Sequence, residues 1–275
     1  MNEDLLKKLL SEKIITYNDL NDQEFRIFQE SLIRRKPFPT DSRDMYLLFK
    51  QLEKSYERDW SRKVVGAEFG LKETRFRFSN EPLFIPTFLN TIMEYLVSRD
   101  LEVEGIFKKS PNQERIIMAV ARYRHCFENN EDIDQNMKEF STLEIASVFK
   151  EVLGCLGNPI LPSGLVPYLC LIQKADLTES ERIRAIKVLI MQIPKDNLDV
   201  FQSTIAFIKI IHHIVSQYKS KNMQQISLKG FAAVITPRLI PTNKIKEIQD
   251  LVYLSDIMMF ITENIEKIIS IYEIY

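Results

Sequence analysis

Apolar residues recur at spacings of three and four through most of this chain, and no long stretch alternates strictly. That periodicity predicts helices. Leu5, Leu6, Leu9 and Leu10 form a short stripe, and Asn21 with Glu24 is positioned to cap a helix carrying Phe25, Phe28 and Leu32. Pro37-Phe38-Pro39 breaks that pattern before a longer amphipathic helix over 42–64, with Phe49, Leu52, Tyr56 and Trp60 on one face and mostly charges on the other. That helix reads either as an appendage packed on the main domain or as a dimerisation or membrane-surface helix.

Gly66 and Gly70 mark a boundary. After it, 81–86 reads as extended, and a helix opening at Pro86 carries Phe88, Ile92, Tyr95 and Leu96. Capping boxes at Ser141/Glu144 and Thr178/Glu181 predict two more helices, the second through Ile193. Between them, Gly154 to Pro167 holds three prolines and three glycines and reads as turns. Pro194 to Asn197 turns the chain into a helix with Phe201, Ile205, Ile208, Ile211 and Val215, apolar on more than one face and therefore central. Ile226–Ile235 is predicted as a buried helix ending before Thr236-Pro237, and a last helix runs from about Ser255 to Tyr272.

The stretch that carries candidate chemistry is Glu104-Gly105-Ile106-Phe107-Lys108-Lys109-Ser110-Pro111-Asn112-Gln113. It reads as a tight loop entering a helix that continues to about Phe127, with Ser110 as N-cap, Pro111 at the first helical position and Gln113 completing a capping box. Gly105 permits the turn, and Ile106 and Phe107 anchor it in the core. Lys108 and Lys109 then stand at the rim. A cation on an anchored loop is what a protein needs to deliver charge into another molecule's phosphate site.

This segment resembles the "E-G-I-F-R-x-S-G" loop of the Rho GTPase-activating (RhoGAP) family. Ile85-Pro86 resembles that family's opening "I-P" helix. The run from Lys150 to Leu161 resembles "K-x-F-L-R-E-L-P-E-P-L-L", and Lys229 to Ile240 resembles "x-N-L-A-x-V-F-G-P-N-L-L". The resemblance covers roughly 65–275 and implies an all-α, RhoGAP-like helical bundle over 66–275 behind an N-terminal helical extension, 1–65. It also implies roles. The arginine inserted as a finger into the bound GTPase corresponds to Lys108. The lysine that contacts the GTPase is retained as Lys150. The arginine of "F-L-R-E-L", which holds the finger loop, corresponds to Gly154, and the asparagine of "N-L-A" to Gly230. The GTPase-binding set so implied is Lys108, Lys109, Lys150, Gly154, Gly230 and Arg238, with Lys108 as the catalytic candidate and Rho/Rac-class small GTPases in the GTP form as partners.

An arginine finger contributes about 10³–10⁵ in rate by spreading forked donors over the transferring phosphoryl group. A lysine brings a compact, strongly hydrated charge that bridges two oxygens poorly. Binding is therefore expected to survive better than catalysis. Two readings stay open: an activator with weak or altered stimulation, and a catalytically inactive adaptor or effector on the same scaffold. Lys109 could substitute, but its side chain should leave the loop in another direction.

Composition changes little. The 275 residues carry a net charge of −1, which favours neither nucleic acid nor membrane, although 43–64 stays a candidate for peripheral membrane contact. No signal peptide is expected, nor a consecutive apolar run of the roughly 18 residues a membrane span needs. The expected location is cytoplasmic, with recruitment to membrane or cytoskeleton. Cys126, Cys155 and Cys170 read as reduced, buried thiols. Adjacent His212 and His213 point about 100° apart and cannot share a metal. No P-loop, zinc or nucleophile-elbow motif is present, so no metal and no cofactor are expected.

Overall fold

The structure, a computed structural model, describes residues 16, 19–21, 23–24, 70–156, 160–191, 193, 195–217, 226–240, 245 and 247–271. The expected helix over 42–64, with its membrane-contact reading, and most of the 1–65 extension lie outside these residues.

Within them the chain is helical apart from one hairpin. Strands β1 (Leu71–Thr74) and β2 (Leu83–Pro86) pair antiparallel, Leu71 opposite Pro86 and Thr74 opposite Leu83. Helices follow as α1 (Thr87–Ser98), α2 (Gln113–Glu128), α3 (Ile133–Met137), α4 (Thr142–Gly154), α5 (Val166–Lys174), α6 (Glu179–Ile190), α7 (Lys195–Gln217), α8 (Leu228–Leu239), α9 (Ile248–Glu263) and α10 (Ile265–Ile269). The all-α architecture expected from periodicity holds. The hairpin is an addition. β2 falls in the stretch read as extended, but β1 carries only Thr74 inward and is held by its backbone, so it leaves no apolar pattern to read.

Polar caps divide the helices as their spacing predicts. Ser141 and Glu144 exchange side-chain and backbone hydrogen bonds at the start of α4, as do Thr178 and Glu181 at the start of α6. The Asn21 Oδ1 accepts from the Gln23 and Glu24 amides, and the Glu24 carboxylate accepts from the Asn21 amide.

The core forms around α7. Phe201, Ile205, Ile208, Ile211 and Val215 are all buried, and so are Gln202, Ser203 and Thr204, so more than one face of the helix is covered. By length and mean hydropathy, Asn197–Gln217 could cross a membrane, although polar residues interrupt it. With 83% of its window buried against the rest of the protein, it behaves as a core helix. α1 and α2 pack on α4, β2 on α7, and α9 against α8 and α5.

Several boundaries differ from expectation. Ser110 does not cap α2. Asn112 does, accepting from the Glu114 and Arg115 amides, so Ser110 and Pro111 precede the helix and the Ser110/Gln113 capping box does not form. Two cap-capable residues stood two places apart, and the nearer one took the amides. α7 already begins at Lys195, and Pro167 lies in the first turn of α5, a position that suits it. α8 runs through Pro237 to Leu239. The carbonyl that loses its partner belongs to exposed Ala233, while the Ile240 amide still reaches the Thr236 carbonyl. Ser255 does not start the last helix. It sits inside α9, its hydroxyl bonded back to the Leu251 carbonyl, and the chain breaks at Asn264 before α10. Cys126 and Cys170 are buried as expected, but Cys155, at the C-cap of α4, is exposed.

Polar contacts tie the described early residues to the bundle, and Leu20 packs against its core. Thr16 forms an antiparallel bridge with Ser270, and Asp19 Oδ1 accepts from the amides of Asn80 and Glu81.

Candidate functional site

The loop between α1 and α2 turns on two residues in the left-handed region, Gly105 at φ +74° and Phe107 at φ +64°. Glycine adopts this region freely, whereas phenylalanine does so at a cost of about 1–3 kcal/mol. The Lys108 and Lys109 amides both donate to the Gly105 carbonyl, closing the turn. Packing holds the strained residue in place. Ile106 and Phe107 are almost fully buried. The Phe107 ring meets Phe149 of α4 edge-on at 6.0 Å and Phe231 of α8 at 5.1 Å. His212 of α7, half-buried, meets the Phe231 ring edge-on at 6.1 Å behind the loop. Lys108 and Lys109 are exposed, as expected. Lys109 is not extended toward a partner. Its ammonium pairs with Glu104 at 2.8 Å across the base of the loop.

The other implied residues gather beside it. Lys150 Nζ donates to the Phe107 carbonyl at 3.4 Å. Burial lowers its pKa, the Arg238 charge lowers it further, and the charge of Glu151 opposes both. One turn along α4, Gly154 faces α8. A Cβ there would stand 3.1 Å from Arg238 Nη1 and 3.3 Å from its Cδ, so the arginine lies across a bare Cα. Glu151 holds that guanidinium with two hydrogen bonds, 2.6 Å from Nη2 to Oε1 and 3.4 Å from Nη1 to Oε2. Gly230 takes the Ser227 cap through its amide, and a Cβ on it would press on buried Ile226 at 2.9 Å. The next residue, Phe231, is the one that touches Phe107.

The six implied residues therefore belong to one arrangement. Phe149 and Phe231 meet at the loop, Gly154 and Arg238 meet farther along, and α4 and α8 run side by side beneath the exposed cations. Chemically it can present positive charge on a rigid mount. Sequence reasoning missed Glu151 and a second ion pair, Arg115 Nε to Glu144 Oε1 at 2.8 Å, which fastens the start of α2 to α4. Both pairs join residues far apart in the chain, and no local spacing signals them. A cavity of about 260 Å³, bordered by Phe88, Tyr123, Phe127, Val152 and Cys155, also adjoins Glu151.

Residues 86–244, more than half of the chain, match the RhoGAP domain. Rho GTPase-activating protein 35 of Canis lupus familiaris is 24% identical over 146 residues, which are 53% of this chain and 9% of that protein. Rho-type GTPase-activating protein 1 of Schizosaccharomyces pombe is 23% identical over 219 residues, 78% of this chain and 17% of that protein. The chain thus spans only a small part of these relatives' length. Among solved structures, human Rho GTPase activating protein 15 superposes with a TM-score of 0.56 at 20% identity, over 67% of this chain and 83% of that one. The BH domain from GRAF gives 0.55 at 16% identity, over 66% and 93%. These two likenesses concern the fold.

Proposed function

This chain belongs to the RhoGAP domain family, and from that premise we propose that it binds Rho/Rac-class small GTPases in their GTP form, in the cytoplasm, and regulates GTP hydrolysis through Lys108. The observation that supports the reading best is the mounting of the loop. Ile106 and Phe107 are sunk in the core, Lys150 donates to the Phe107 carbonyl at 3.4 Å, and Lys108 is carried outward on a turn closed by the Lys108 and Lys109 amides on the Gly105 carbonyl. A charge held in place in advance stabilises a transition state without reorganising as charge develops. Lys109, whose stem folds back over Gly105 toward Glu104, is the poorer candidate for the finger.

A lysine at this position reaches less far than an arginine and does not fork. The proposal is accordingly for weak or altered stimulation. One observation favours the adaptor reading over the activator: glycine at 154 leaves no side chain there to hold the finger loop, and Arg238 lies across the bare Cα instead.

Single-turnover GTP hydrolysis by a panel of Rho- and Rac-class GTPases, with this protein in excess, tests the proposal. Acceleration that falls with Lys108→Ala supports the activator. Binding that prefers the GTP form without acceleration supports the adaptor. Neither binding nor acceleration overturns both.

A further inference from the structure

The outer face of the hairpin leaves two large apolar side chains exposed, Leu71 at 50% and Phe84 at 46%. Leu71 stands opposite Pro86 and Phe84 opposite Glu73, so the two share one face on a diagonal, about 7–8 Å apart and within reach of a single aromatic ring. The other face turns Leu83 and Ile85 into the core.

Two anchors of the early chain sit on this same hairpin. Asp19 Oδ1 accepts from the Asn80 and Glu81 amides, in the connection between the strands. The Gly70 carbonyl, directly before β1, accepts from the Thr87 amide at 3.0 Å. The stretch 42–64, outside the described residues, falls between these anchors in sequence. It carries Phe49, Leu52, Tyr56 and Trp60 at spacings of three and four. No more than about 25 Å of extended chain separates Val64 from Leu71. So short a tether keeps the stripe at an effective concentration in the millimolar range near the hairpin, ahead of any second molecule in dilute solution.

We propose that the apolar stripe of 42–64 docks on the outer face of the hairpin, with Tyr56 and Trp60 covering Leu71 and Phe84. The segment is then an appendage of this domain, and its stripe is occupied within the chain rather than by a membrane or a second copy. The docking site lies where α1 begins, and the cation-bearing loop follows the other end of that helix. The proposal therefore does not rest on the function proposed above.

Trp60 is the sole tryptophan of the chain, so its fluorescence reports on the segment alone. In the full chain its emission should be blue-shifted and shielded from acrylamide. Leu71→Ser with Phe84→Ser should shift the emission to the red and expose Trp60 as fully as in the urea-unfolded protein, because each side chain removed forfeits more than about tenfold in the docking equilibrium. Ile117→Ser with Met118→Ser, which strips an equally exposed apolar pair from α2, should leave Trp60 shielded. All four positions are on the surface, so the circular dichroism of both variants should match the parent. A double-mutant cycle on urea stability tests direct contact. Adding Tyr56→Ser and Trp60→Ser to the Leu71/Phe84 variant should cost little beyond either pair alone, since residues in contact are not additive. Additive losses, a tryptophan already open to solvent in the parent, or shielding that survives the Leu71/Phe84 change would each overturn the proposal. So would shielding that is lost on dilution, which would assign the stripe to a second copy. Shielding gained only with phosphatidylserine vesicles would assign it to a membrane and overturn the proposal as well.

Discussion

The stem of Lys109 lies 2.6 Å from the point where a Cβ on Gly105 would stand. The loop therefore needs glycine at 105 twice over, for its φ of +74° and for the empty volume that lets Lys109 fold back onto Glu104. Gly105→Ala should lower stability by about 1–3 kcal/mol and release the Lys109–Glu104 pair. Chemical denaturation measures the first effect, and the Lys109 side-chain resonances report the second.

Phe107 tolerates an unfavourable backbone conformation because its ring is buried between two others. Phe107→Ala should cost about 3–5 kcal/mol, the range for truncating a buried aromatic. A cost below about 1 kcal/mol, typical of surface sites, would mean that the ring does not anchor the loop.

Lys108→Arg restores a forked donor on an otherwise unchanged mount. Hydrolysis by the preferred GTPase should rise at least about tenfold over the parent, within the range attributed to arginine fingers. No gain would locate the deficit in the supporting residues around Gly154 and Gly230. Melting temperature should not change, because the side chain is exposed.

Burial pushes the Glu144 carboxyl up, but hydrogen bonds from Arg115 and Ser141 and the Arg115 charge outweigh it, leaving its pKa below the ordinary 4.5. A depressed carboxylate stabilises the fold above its unfolded pKa and loses that contribution as pH falls through the folded value. The stability difference between parent and Glu144→Gln should be constant near neutrality and shrink below about pH 4.5. Urea titrations from pH 3 to pH 7 check it, and a difference that stays flat across that window would remove Arg115–Glu144 from the list of stabilising pairs.

Asp19→Ala deprives the Asn80 and Glu81 amides of their shared acceptor, and the Thr16 amide and hydroxyl of the carboxylate oxygen to which they donate. The expected cost is about 1–2 kcal/mol, with faster exchange at both amides.

Helix positions were legible wherever a cap and an apolar period agreed, as at Ser141/Glu144, Thr178/Glu181 and along α7. They were misread where one signal stood alone. Ser255 had a cap's chemistry but bonds back within its helix, and Pro237 looked like a terminus but left only an exposed carbonyl unpaired. At the candidate site, the sequence carried the loop and Lys150, since both lie in contiguous motifs. It could not carry Glu151–Arg238, whose partners are 87 residues apart, or Arg115–Glu144, 29 apart. A glycine also looks like a loss in sequence alone. At 154 it is the space that another side chain fills.

The bridge between Thr16 and Ser270 joins positions separated by almost the whole chain. Ser270 in turn receives the buried ammonium of Lys187 on its carbonyl, 2.7 Å away. The two extremities of the described chain are thus fastened to each other and to α6, and they should open together as one cooperative unit. Shortening the polypeptide from either side would then loosen the other.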